Sequence, residues 1–189
     1  MPRIENVEIY GLKESFRASK FPMKTDPATA TDDYTEVIEG LANTPIGSGH
    51  DNFLVGIVVQ FDLTISQHSR IQFLRYHHVD TISSMSVMHM VTRFDLRNMA
   101  NKYVDTAIIA RLEELQKQYL ADKTEENFLR LIYNIPSGFE LTARITTNYR
   151  QLKTMYAQRK HHRLPDWKCI CRWIETLPYA SLITGDKID

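Results

Sequence analysis

Two stretches of the chain carry residues whose types and spacing invite chemistry. At about 100° per residue, Leu141, Ile145, Leu152, Met155 and Tyr156 share one apolar stripe, and Asn148 and Arg159 fall inside it. A buried amide and a buried guanidinium need partners, because an unpaired charge in an apolar setting costs several kcal/mol. The stripe admits two readings. Either Arg159 forms an internal ion pair or reaches water from a helix end, or the apolar face lines a ligand pocket with Asn148 and Arg159 aimed at an anion or polar ring.

The second stretch holds His77, His78, Asp80, Ser83, Ser84, Ser86 and His89. Imidazole is a common metal ligand, and His161 and His162 lie elsewhere in the chain, but these histidines form no helical His-x3-His pair. Only Asp80 offers a nearby carboxylate, so no metal is expected. His77 and His78 read instead as polar pocket residues that approach phosphate as partly charged donors. No Ser-His-Asp or Gly-x-Ser-x-Gly context surrounds the serines, which leaves them hydrogen bonding in a turn or to a ligand phosphate. Cys169 and Cys171 are too close for an ordinary disulfide and too few for a zinc site, so both read as reduced structural residues.

The elements that must position these groups follow from periodicity. Val7 and Ile9 alternate with polar residues in a first strand that Gly11 ends, and a Pro/Thr/Asp-rich connection runs from Pro22 to Asp33. A short helix carries Tyr34, Val37, Ile38 and Leu41, and Asn43 to His50 is a loop punctuated by Pro45, Gly47 and Gly49. Val55 to Leu63 is β-branched and mostly apolar, as a buried central strand requires. Helical spacing follows from Ser66 to Arg75, with Ile71, Phe73 and Leu74 apolar. Beyond Asn101, Val104, Ile108, Leu112, Leu115 and Tyr119 make one stripe, with Asp105, Arg111 and Lys117 on a solvated face. A helix from about Phe139 to Arg159 carries the Asn148–Arg159 stripe, and a last helix holds Trp167 and Trp173 as core or subunit-interface residues.

These elements predict a single α+β domain over residues 1–189, a length suited to one domain that buries roughly 70% of its unfolded surface. The 23 basic and 23 acidic side chains cancel, so no overall field attracts nucleic acid or an anionic membrane. No stretch approaches the roughly 20 apolar residues of a membrane span, and Met1 to Glu5 lacks the apolar core of a signal peptide. The expectation is a cytoplasmic protein whose ligand anion is met by a few local arginines.

The stretch Pro136-x11-Asn148-Tyr149-Arg150-x8-Arg159 resembles, without a gap, the C-terminal half of flavin-dependent thymidylate synthases. In that family the Asn and first Arg contact the flavin and the last Arg contacts the uracil nucleotide. A second ungapped match runs from His50 to Arg75 through Gln72-Phe73-Leu74-Arg75, and a third is Arg17-Ala18-Ser19. The resemblance implies a central, mostly antiparallel sheet with flanking helices and a helical C-terminal half. It also implies that Arg159 is catalytic and that Gln72, Arg75, Ser84, Ser86 and Arg159 bind substrate. Ser19, His50, Asn52, Arg75, His77, Asn148, Arg150 and Thr154 are implied as the cofactor-binding set. The cofactor implied is FAD, with NADPH and methylenetetrahydrofolate as co-substrates, and the substrate is a pyrimidine deoxynucleotide. Arg150 faces away from the apolar stripe and in one chain alone would be solvated, whereas the family shares its sites between the subunits of a homotetramer.

The family's central Arg-His-Arg signature is altered. Tyr76 stands at the His, His77 at the second Arg, Ser84 at a Glu and Met88 at a final Arg, and one inserted residue is needed to align Ser86. Val55 and Gly56 replace the Glu-His pair that follows the loop histidine. The alternative to a dUMP-methylating enzyme is therefore a catalytically altered or inactive relative that keeps the tetrameric scaffold.

Overall fold

Glu140–Asn148 alternates: Leu141, Ala143, Ile145 and Thr147 are buried, while Thr142, Arg144 and Thr146 stay half-exposed. That period of two belongs to a strand, and in the computed structural model, which describes residues 2–185, the segment is one. The expected single helix from Phe139 to Arg159 is thus corrected to a strand followed by a helix. The stripe misled because a step of four, as from Leu141 to Ile145, stays on one face of a strand as well as of a helix. The neighbouring Thr142, Thr146 and Thr147 favour the strand.

In chain order the elements are β1 (Arg3–Tyr10), α1 (Leu12–Ser19), α2 (Glu36–Ala42), β2 (Val58–Ser66), α3 (Gln67–Phe73), β3 (Asp80–Ser84) and α4 (Val87–Met90). Then come α5 (Leu96–Met99), α6 (Thr106–Ala121), α7 (Glu125–Tyr133), β4 (Glu140–Asn148), α8 (Tyr149–Arg159), α9 (Pro165–Ile174) and α10 (Ser181–Thr184). The sheet order is β1-β2-β4-β3, antiparallel throughout. β2 and β4 are central and pair from Val58↔Asn148 to Ser66↔Glu140. The fold is α+β, as the elements implied. No helix among the described residues is long and apolar enough to cross a membrane.

Val59, Phe61, Leu63 and Ile65 of β2 and Ala143 and Ile145 of β4 turn one face of the sheet into a core with Leu152 and Met155 of α8 and Trp167 and Ile170 of α9. The other face is polar: Arg144 bridges the Asn6 carbonyl and Asp62, and the Thr64 and Thr142 hydroxyls meet at 2.7 Å. Such one-sided burial is what an antiparallel sheet permits. A second core of Val91, Leu96, Leu112, Leu115, Leu131 and Phe139 lies with α5 to α7, and Leu141 extends it to β4.

Boundaries moved where local geometry intervened. The central strand begins at Val58 rather than Val55 because Asn52–Gly56 forms a 3-10 turn packed on α1. A Cβ at Gly56 would lie 2.5 Å from the Ser15 hydroxyl oxygen, so that approach needs glycine. α3 buries Phe73 but leaves Ile71 and Leu74 exposed. α6 buries Ile109, Leu112 and Leu115, not Ile108, and Asp105, exposed as expected, also accepts the Ala107 N–H as the helix cap. Trp167 is core, Trp173 packs on Phe61 with ring centroids 4.5 Å apart, and α10 follows their helix.

Candidate functional site

The link from β4 into α8 fixes the site. Asn148 ends the strand and its side-chain oxygen accepts the Gln151 N–H at 2.9 Å, which caps the helix. The Asn148 of the expected stripe is therefore a cap, paired within the chain. One turn on, Lys153 is buried, and its ammonium donates to Asp51 Oδ2 at 2.9 Å, to the Ala42 carbonyl at 2.6 Å and to the Thr44 carbonyl at 2.9 Å. All three donors of the ammonium are used. This anchor ties α8 to the loop that follows α2.

Asp51 is 0% exposed. Its second oxygen lies 3.2 Å from Arg150 Nε, close enough for an ion pair, but off the line needed for a directed hydrogen bond. Arg150 is thus not simply solvated, as its place opposite the stripe suggested; a buried carboxylate on the adjacent loop draws it in. His50 and Asn52 flank Asp51 and are exposed.

Along a different face of α8, Gln151, Thr154, Gln158 and Arg159 face Gln72, Arg75, Tyr76 and His77 across a cavity of about 300 Å³. The steps of three and four from Gln151 to Thr154 to Gln158 place one row of helix side chains toward it. Arg159 is half-buried, and among the described residues no carboxylate lies within ion-pair distance of it. Its guanidinium is held by neutral groups: Nε donates to Tyr76 Oη at 2.8 Å and Nη1 to Gln72 Oε1 at 3.4 Å. It also stacks over Trp167, 4.4 Å from the ring centroid. This cation, unpaired with any carboxylate among the described residues, lines the cavity.

Neighbouring groups register that charge. His162, whose ring Nδ1 accepts the Leu164 N–H at 3.2 Å, is held below the ordinary histidine pKa, first by burial and then by Arg159 and Arg163. Burial and then Glu175 push the Cys171 thiol up to about 11, against the pull of Arg159. Both cysteines are free thiols.

The cavity collects Gln72, Arg75, His77, Thr154 and Arg159 from the sequence-derived set. The others lie elsewhere. Ser19 ends α1 and donates to the Phe16 carbonyl at 2.8 Å. Asn148 and Arg150 stand at the start of α8, and His50 and Asn52 on the adjoining loop, outside the cavity lining. Ser84 sits on β3 opposite Ala143, roughly 17 Å along β4 from Asn148 at the usual rise per residue. Ser86 caps α4 by accepting the His89 N–H.

Sequence reasoning missed Gln151 and Gln158, and gave Trp167 only a core or interface role. Their signal was the glutamine and threonine spacing on α8, obscured when the helix was started too early. Among the described residues no three His, Cys, Asp or Glu side chains group as metal ligands. A larger groove of about 860 Å³ lies near α9 and the residues before α6; Pro136 of the matched motif lines it, but none of the residues expected to bind cofactor or substrate does.

Solved structures share this architecture across nearly the whole chain. Thymidylate synthase X from Helicobacter pylori, solved with FAD and dUMP, superposes with a TM-score of 0.75, covering 96% of each chain at 14% identity. The chain has the fold of flavin-dependent thymidylate synthases. A second structure of the Helicobacter pylori enzyme complexed with FAD and dUMP gives 0.69 at 12% identity, covering 96% of this chain and 97% of that one. A UMP/dUMP methylase from Streptomyces cacaoi bound to 5-bromo-dUMP gives 0.65 at 13% identity, with 93% and 89% covered. No family model and no curated protein matches the sequence. The thymidylate synthase fold has therefore been kept while most side chains changed.

Proposed function

We propose that this chain is a flavin-dependent, thymidylate-synthase-type enzyme that methylates deoxyuridylate or a close pyrimidine nucleotide. It acts as one domain within a cytoplasmic homotetramer, with NADPH and methylenetetrahydrofolate as co-substrates. The observation that carries this reading is the convergence of Gln72, Arg75, His77, Thr154 and Arg159 on one cavity of a fold whose solved examples hold FAD and dUMP.

The donor set suits both ligands. At about 300 Å³ the cavity is at the small end of ligand sites and has room for a mononucleotide, not for a dinucleotide as well. Arg75 and Arg159 offer planar forks for phosphate or carbonyl oxygen. FAD would extend over Ser19, His50, Asn52, Asn148 and Arg150, of which His50 and Asn52 are open to solvent. Asn148 keeps its amide nitrogen and one lone pair of the capping oxygen for it. Bound flavin supplies the hydride chemistry of the reaction, and the protein supplies position and charge. Arg159 stabilises negative charge on the pyrimidine, and Arg75 and Gln72 orient the nucleotide.

Ser84 and Ser86 act on a neighbouring subunit's cavity in this reading, since their own strand carries them away from the one they would serve. β3 supports the association: it is an exposed sheet edge with Ile82 54% exposed, the kind of edge that seeks a partner, and Met88 of the following α4 is 56% exposed. A second reading, a catalytically altered or inactive relative, is favoured by Met88 itself. A thioether replaces the expected arginine, and one lost charge-assisted bond weakens phosphate binding by about 1.5–3 kcal/mol. Arg70 or Arg93 is placed in the same stretch to compensate.

Purified protein reconstituted with FAD should stay yellow through gel filtration and elute at tetramer size. Colourless protein contradicts the flavin reading. Turnover of dUMP with methylenetetrahydrofolate and NADPH separates the first reading from the second.

A further inference from the structure

Tyr76 occupies the altered position of the central signature, and its hydroxyl lies between two side chains of α8. Arg159 Nε, which can only donate, points to Tyr76 Oη at 2.8 Å, so the hydroxyl must accept there. Its own proton is then free for Gln158 Oε1 at 3.0 Å. The direction of this relay is set by the guanidinium, which has no acceptor atom.

Gln72 completes the seat by the same logic. Its Oε1 receives Trp167 Nε1 at 3.0 Å and Arg159 Nη1 at 3.4 Å, and both groups are donors only. The amide orientation is therefore fixed, and both lone pairs of that oxygen are taken. Gln72 can offer a ligand only its Nε2, which now faces His68 Nε2 at 3.3 Å. Below the guanidinium lies the Trp167 ring, itself fully buried and in edge contact with Tyr76 at 5.8 Å.

We infer that Tyr76 is the positioning residue that fixes the direction in which Arg159 addresses the nucleotide of this cavity. Of the five guanidinium N–H groups, Tyr76 and Gln72 take one each, which leaves both hydrogens of Nη2 and one of Nη1 for the ligand. That remaining edge is suited to oxygen acceptors on an anion or a pyrimidine carbonyl. A carboxylate in the seat would hold the arginine equally well but neutralise it. A phenol and an amide hold it and leave its charge intact. Tyr76 thus acts through Arg159 and does not itself touch the reacting atoms.

The nucleotide part of this inference rests on the proposed function, whereas the seat does not, so two readouts separate them. In ligand-free protein, the Arg159 Nε–H should give a resolved, slowly exchanging NMR resonance, assigned by its loss in Arg159→Lys. Tyr76→Phe keeps the ring and removes the acceptor, and it should broaden or abolish that resonance. An unchanged resonance overturns the seat. In the flavin-loaded protein, Tyr76→Phe should weaken dUMP binding about tenfold, the scale of one hydrogen bond to a charged group, with flavin affinity unchanged. In an Arg159→Met background the same substitution should add nothing, and an equal loss in both backgrounds overturns positioning through Arg159. If the resonance depends on Tyr76 but wild-type protein does not bind dUMP, the seat stands and the nucleotide reading fails. Gln158→Leu, at an exposed position, serves as a second variant: by freeing the hydroxyl it should loosen the same resonance and weaken dUMP to a smaller degree.

Discussion

Helix α8 and the edge segment of β3 and α4 both carry residues from the matched motifs, yet the fold treats them in opposite ways. α8 is clamped by Asn148 and the Lys153–Asp51 pair and presents Gln151, Thr154, Gln158 and Arg159 to a cavity along another face. β3 is exposed along its whole length, and Ser84, Ser86 and Met88 do not line the cavity beside α8. The first region is held and lined by residues of one chain; in the proposed reading the second serves a neighbouring copy. The altered signature divides the same way: Tyr76 and His77 line the cavity that α8 organises, whereas Ser84 to Met88 lie outside it.

That contrast can be broken at several points. The largest expected effect is on the α8 clamp. Asp51→Ala leaves a buried ammonium without its counter-charge and should cost about 3–5 kcal/mol, seen as a melting-temperature fall on the order of 10 °C. A shift within a degree or two would mean that the clamp is not what holds α8. Next, Arg159→Ala should weaken dUMP binding about 10- to 100-fold while sparing flavin uptake, measured by titration of the flavin-loaded protein. Met88→Arg should tighten dUMP binding by up to about tenfold in the assembled protein and leave dissociated chains unchanged. An equal gain in both would place Met88 beside its own chain's cavity and erase the contrast.

The smallest effect concerns pH. Histidine in the unfolded chain binds its proton near its ordinary pKa of 6.5, whereas folded His162 resists it because of burial and the nearby Arg159 and Arg163. The unfolded state therefore binds more protons just below that pH, so this contribution is fully present above 6.5 and declines as pH falls through the lower folded value. Melting curves of His162→Gln should show a shallower acid slope than wild type. A parallel pair of slopes would remove His162 from the electrostatics of Arg159.

The sequence exposed some of this and concealed the rest for definable reasons. β1, the loop from Asn43 to His50, the central strand and α6 were readable because alternation, Pro/Gly punctuation and a long apolar stripe each had one interpretation. The segment 139–159 had two, since Leu141 and Ile145 share a face in either a strand or a helix. β3 and α4 carried no signal of their own: five polar or β-branched residues and a single turn give no apolar period, and only pairing with β4 makes the strand. For the site, motif resemblance reached Gln72, Arg75, His77, Thr154 and Arg159, which the fold gathers. It did not reach the Tyr76–Gln158 relay or the Trp167 platform, because these contacts join residues 82 to 95 positions apart and leave no local pattern.

The most direct test is the visible spectrum of FAD-loaded protein titrated with dUMP, for wild type and Arg159→Ala. The account predicts flavin bands that shift with saturating nucleotide in wild type and require far more dUMP in the variant, with both proteins taking up flavin equally. Flavin bands indifferent to dUMP, or equal losses of flavin and nucleotide on removing Arg159, would contradict it.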